Sequence, residues 1–135
     1  MEKEPMTPHI SKIDHVHVYV ANRDEAEVWY EDVLGFRTVA AFEQWATKDG
    51  PQTMENENGC VHIALFERPD HDGSSTIAFG TSADGFIAWK KHLEERDLEL
   101  RITDHELAYS LYFHDPWNNM HEITTFERDK VAAVL

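Results

Sequence analysis

The chain has 135 residues, 41% of them hydrophobic, enough for one compact unit or two small halves sharing a core. Twelve basic against 26 acidic side chains leave a formal charge of −14, which argues against a nucleic-acid or anionic-membrane partner. No apolar run approaches the roughly 18 residues that span a bilayer, and the single Cys60 has no partner for an intrachain disulfide, as suits a reducing cytoplasm.

Residues 1–11 are polar, carry Pro5 and Pro8, and lack the apolar stretch and cleavage pattern of a signal peptide, so they read as a flexible lead-in. Ile13 to Val20 then alternates as a strand. Ile13, His15, His17 and Tyr19 share one face, and Val16, Val18 and Val20 the other. The valine face calls for a covering hydrophobic layer, whereas two imidazoles and a phenol suit a polar cavity. Asn22 and Glu25 form a capping-box pattern that opens a helix through Ala26, Trp29, Tyr30, Val33 and Leu34, with Gly35 as its stop. Trp29 and Tyr30 read as core residues. Phe36 to Phe42 is expected to resume as a strand. Gln44 to Gly59 is weakly patterned, either a binding loop or a strand without a visible signature. Cys60 to Phe66 is again strand-like, with His62, Ala64 and Phe66 opposite Val61, Ile63 and Leu65.

Residues 68–74 read as a linker, after which the element order repeats. Ser75 to Phe79 is a strand, Asp84 the expected N-cap, Phe86 to Arg96 an amphipathic helix, and Leu98 to Thr103 another strand. Two helix starts about 60 residues apart, each between strands, point to two copies of one supersecondary unit. Leu107 to Phe113 and Met120 to Phe126 close the second copy, joined by a turn at Asp115-Pro116 in which Asn118 and Asn119 can adopt left-handed backbone geometry. Met120, Glu122 and Thr124 share one face of the last strand. A carboxylate there must be solvated, paired or bound to a metal. The tail, residues 128–135, ends in an apolar Val131 to Leu135 run suited to a short docking helix. There is no Gly-rich phosphate loop, and Cys60 has no evident activating base.

Three stretches together carry a family resemblance: Ile13 to Val16, Trp29 to Phe36, and Ser110 to Glu122. The last resembles the signature S-x-Y-F-x-D-P-x-G-N-x-x-E, with Asn118 in place of Gly, a replacement tolerable at a left-handed position. The chain thus resembles the vicinal oxygen chelate superfamily, which includes glyoxalase I, extradiol dioxygenases and the fosfomycin and bleomycin resistance proteins. The resemblance implies an α+β fold of two βαβββ modules, residues 12–68 and 74–127, forming a cupped mixed sheet. It implies a homodimer acting on a small-molecule substrate, and a divalent metal held by residues of the first and last strands of each half. By position His15 and Glu122 are the ligands. Thr76 stands where a second His is usual, and Ala64 at the fourth position, so His62 completes the expected set of His15, His62 and Glu122. His17 is a rival, set aside because neighbouring positions of one strand rarely converge on one ion. Iron is the expected metal, with manganese, zinc and nickel as alternatives. Tyr112, ten residues before Glu122, matches a tyrosine of the ring-cleaving dioxygenases and would donate to a bound oxygen. Asp104-His105 resembles their Asp-His pair, with His105 as proton shuttle. Dioxygenase-like chemistry on a vicinal-oxygen substrate is the leading expectation. A glyoxalase-type lyase or isomerase is the alternative among enzymes. A metal-free binding protein of the bleomycin-resistance type, with Trp45 and Trp117 stacking on a flat cationic ligand, is the alternative of another class.

Overall fold

The computed structural model describes Pro8 and residues 12–71 and 76–135. The expected lead-in, Pro8 apart, residues 72–74 of the expected linker and Ser75 of the strand expected after it lie outside the described residues. The first module runs β1 (Val16–Val20), α1 (Arg23–Leu34), β2 (Arg37–Thr38), a 3₁₀ turn (Ala40–Trp45), β3 (Gln52–Glu55) and β4 (His62–Glu67). The second runs β5 (Thr76–Gly80), α2 (Ala83–Glu94), β6 (Arg101–Asp104), β7 (Tyr109–His114) and β8 (Met120–Thr125), followed by α3 (Arg128–Ala132). Each module forms a four-stranded mixed sheet, ordered β1-β4-β3-β2 and β5-β8-β7-β6. In both, the first and last strands run parallel and the remaining pairs antiparallel. This is the α+β, twice-repeated βαβββ architecture expected from the sequence. Among the described residues, no helix is long and apolar enough to cross a membrane.

Local chemistry accounts for the element boundaries. The Asn22 side chain accepts from the Glu25 N–H at 2.9 Å, and Gly35 ends α1 at φ 71°, where a Cβ would be strained. Two expectations are corrected. Ser82, not Asp84, caps α2, accepting from the Gly85 N–H at 3.1 Å. Asp84 falls instead in the first turn, where its charge meets the positive end of the helix. The strand expected over Phe36 to Phe42 shrinks to β2 and gives way to the 3₁₀ turn. The Arg23 guanidinium gathers the carbonyls of Ala46, Thr47 and Gly50 just beyond it. The unreadable stretch before Gly59 contains β3, an interior strand whose Thr53 and Met54 are buried.

One continuous buried cluster joins the modules. It takes Val18, Val20, Ile63 and Leu65 from the back of the first sheet, and Leu111, Phe113 and Ile123 from the back of the second. Ala26, Tyr30, Val33, Phe86 and Leu93 come from the two long helices. Val131 of α3 is fully buried in the same cluster, so this short helix docks on the body through that residue, while Val134 and Leu135 stay exposed. Both backs serve one core, so the opposite faces of the two sheets, the polar ones, turn away from it.

Candidate functional site

The polar face of the first sheet carries His15, His17 and Tyr19 from β1 and the residue before it, and His62, Ala64 and Phe66 from β4. Val16 pairs with Ile63 and His17 with Ala64; extending that parallel register by one residue sets His15 beside His62. The two imidazoles line one cavity of about 470 Å³ with Asp14, Thr53, Phe42 and Trp45. Phe42 and Trp45 stack on each other at 4.6 Å, and Trp45 is 51% exposed. Within this face His62 Nε2 lies 3.2 Å from Glu55 Oε2, a pair made across the β3–β4 ladder. His15 Nδ1 lies 2.8 Å from Asp14 Oδ2, and its Nε2 only 3.1 Å from His17 Nε2. The rings of His15 and His17 are therefore in direct contact.

The polar face of the second sheet carries Glu122. Tyr112 of β7 is its direct cross-strand partner, and Ser110 faces Thr124. Ser110 donates to Glu122 Oε2 at 2.7 Å, with Thr124 Oγ1 2.9 Å away on its other side. The hydroxyl orients the half-buried carboxylate. His105 Nε2 lies 2.9 Å from the Tyr112 hydroxyl, and the Arg101 guanidinium sits 4.3 Å above the Tyr112 ring. Tyr112 and His105, singled out separately from the sequence, thus form one hydrogen-bonded pair. Thr76 and Ala78 lie on the same face, Ala78 opposite Glu122.

Within one chain these two faces do not meet. Among the described residues no three His, Cys, Asp or Glu side chains form a group that could hold a metal ion. His15 and His62 share a cavity, while Glu122 belongs to the other sheet, whose polar face is likewise turned away from the shared core. The donor types still suit a divalent ion: two imidazoles and a carboxylate, each oriented by a second polar group (Asp14, Glu55, Ser110).

Sequence reasoning missed the clamp that fixes these faces relative to each other. The Tyr30 hydroxyl, in α1, donates to Asp115 Oδ2 at 2.7 Å and accepts from His121 Nε2 at 2.9 Å. Asp115 also accepts from the backbone N–H groups of Trp117 and Asn119 and from Asn119 Nδ2. Asn119 Nδ2 in turn reaches the Tyr19 carbonyl of β1 at 2.9 Å. The left-handed Asn118, at φ 67°, lets the turn fold back on Asp115. The clamp ties the β7–β8 turn, and with it Tyr112 and Glu122, to the first module. A signal was present: His121 lies on the same face of β8 as Ile123, an imidazole where the period demands an apolar side chain.

Burial pushes the Tyr30 phenol well above its usual range, and the Asp115 charge pushes the same way. Burial also lowers His121 to about 4, against a smaller opposing pull from Asp115. A buried neutral His121 donates through Nε2 to Tyr30; its Nδ1 has no partner among the described residues. The unfolded chain therefore takes up a proton at this histidine well before the folded one. Stability is full above pH 6.5 and declines as the pH falls toward 4, with this residue contributing a loss of about 3 kcal/mol. Denaturant unfolding at several pH values checks this. His121→Gln should flatten the decline by that amount, and an unchanged slope would remove His121 as its source.

A model of the Glyoxalase/Bleomycin resistance protein/Dioxygenase superfamily matches residues 12–123. The chain belongs to this superfamily. No curated protein sequence matches it significantly. Among solved structures, it is similar to an integron cassette protein from the mobile metagenome of the Halifax Harbour sewage outfall. That protein is 22% identical with a TM-score of 0.73, over 86% of this chain and 99% of the other. A glyoxalase/dioxygenase from Nostoc punctiforme is 16% identical, with a TM-score of 0.71 over 93% and 98% of the two chains. The fosfomycin resistance protein FosX from Listeria monocytogenes, solved with Mn(II) and sulfate, is 13% identical, with a TM-score of 0.66 over 93% and 98%. At these identities the structures establish the superfamily's fold for this chain.

Proposed function

We propose that the protein is a homodimeric, metal-dependent enzyme with dioxygenase-like chemistry on a small substrate bearing two neighbouring oxygens. The observation that carries this reading is the separation of the two polar faces. Each chain has one sheet with the imidazoles and another with Glu122, Ser110 and Tyr112, all on the side away from the shared core, and each sheet has an edge strand, β1 or β5, paired on one side only. Two copies related by a two-fold axis can set the first sheet of one against the second sheet of the other, which covers both open edges and closes two equivalent cups. His15 and a second imidazole from one protomer would then join Glu122 from its partner around an iron ion, or manganese, zinc or nickel.

Bound there, the ion would act as a Lewis acid on the two vicinal oxygens of the substrate. The chain's own residues do the rest. Ser110 holds Glu122 in place. Tyr112 donates its hydroxyl proton to a substrate oxygen, and His105, with Nε2 2.9 Å behind that hydroxyl, donates to the phenol oxygen and replaces the proton when the phenol gives it up. Arg101, over the ring, fixes its orientation. Dioxygenase chemistry puts both atoms of O₂ into the product as a carbon–carbon bond breaks, so no external reductant is required.

A second reading has its own observation. The exposed Trp45, stacked on Phe42 at the cavity rim of a strongly acidic chain, suits metal-free binding of a flat cation. Metal analysis with sedimentation separates the two. The enzyme reading predicts a dimer retaining about one transition-metal ion per chain. A metal-free protein that binds flat cations equally well with and without chelator would overturn it. Oxygen uptake with a panel of catechols and α-hydroxycarbonyls then distinguishes ring cleavage from glyoxalase-type isomerisation.

A further inference from the structure

We infer that His17, not His62, is the second imidazole of the metal centre, so that β1 alone supplies a two-nitrogen chelate and no ligand from β5 is needed. This rests on the reading of a metal site at His15. Alternation along a strand puts residues 15 and 17 on one face, about 7 Å apart along the chain, yet their rings lean together. The ring centroids are 5.0 Å apart at an interplanar angle of 21°, and the Nε2 atoms are 3.1 Å apart. Two nitrogens at that separation, each about 2.0–2.1 Å from one ion, subtend roughly 95–100° at it, between the octahedral and tetrahedral angles.

The surrounding groups prepare this pair. Asp14 accepts from Nδ1–H of His15 at 2.8 Å, which fixes the tautomer and leaves the Nε2 lone pair directed at His17. With the His15 proton held on Nδ1, the donor in the Nε2–Nε2 contact is His17 Nε2–H. Moving its proton to Nδ1 turns the donor into a second ligand without net proton release. The His17 ring is held by Phe66, 4.6 Å away, and by the edge contact with Tyr19. The competitors are less suited. His62 meets Glu55 through Nε2, which leaves it only Nδ1 for an ion, and Thr76 offers a hydroxyl where a ring nitrogen would be required. The arrangement explains how this chain dispenses with an imidazole on β5.

Cobalt(II) titration of the dimer, followed by calorimetry and visible absorption, tests the assignment, with thermal melts confirming that each variant is folded. His17→Gln and His15→Gln should each weaken Co²⁺ binding about 100-fold and change the absorption bands, whereas His62→Gln should shift affinity less than about 3-fold. Wild-type binding that survives His17→Gln but fails in His62→Gln would overturn this inference and leave the proposed function standing. A folded wild-type dimer that takes up no Co²⁺ would overturn both.

Discussion

Replacing Asp115 by alanine is expected to lower the unfolding free energy by about 4 kcal/mol, since several buried donors lose their acceptor at once. The carboxylate is only 4% exposed. It accepts from Tyr30, from two backbone N–H groups and from the Asn119 amide. Without it, the Tyr30 hydroxyl keeps only His121, and the amide of Asn119 keeps only the Tyr19 carbonyl. Tyr30→Phe removes one member and strands the His121 N–H, so a loss of about 2 kcal/mol is expected. The double variant should lose much less than the sum, because both changes break the same network. Denaturant unfolding of the three variants checks this; simple additivity would show that the two residues act separately. The effect should reach the site as well. Asp115 pins the turn that positions Tyr112 and Glu122, so the surviving folded protein should bind metal more weakly than wild type.

The second large effect is on binding. Glu122→Gln keeps the size of the side chain and its bond from Ser110 but removes the anionic donor. Metal affinity is expected to fall at least about 100-fold, a loss of roughly 3 kcal/mol. Stability should change by less than about 1 kcal/mol, since the side chain is half-buried and glutamine keeps the bond from Ser110. Equilibrium dialysis against a competing chelator, paired with thermal melts, separates these quantities. A variant that keeps its metal would remove Glu122 from the site.

The fold was legible where the period of two was unbroken. Val16 to Val20 and Tyr109 to His114 each alternate between an apolar back and a polar face, and Asn22 with Gly35 bracketed the first helix. The third strand was not legible. Its four residues, Gln52 to Glu55, put Thr53 and Glu55 on the cup face, and only Met54 is a buried apolar side chain. Missing that strand also hid the partner of His62, because Glu55 meets it only through the β3–β4 register. Tyr112 and His105 were legible as a motif, but their hydrogen bond depends on how the loop before β7 returns. The clamp was hardest to foresee. Tyr30 reads as one more aromatic on an amphipathic helix, and its two partners lie 85 and 91 residues further along the chain. The convergence of His15 and His17 depends on side-chain lean, which alternation alone does not specify.

The central claim, a site shared between protomers, is tested most directly by pairing two crippled chains. His15→Ala and Glu122→Ala homodimers should each be metal-free. A heterodimer purified through two different tags combines the intact His15 of one chain with the intact Glu122 of the other. It should regain one metal ion per dimer, with the affinity of the wild type. A heterodimer as empty as its parents would show that His15 and Glu122 do not meet across the two-fold axis.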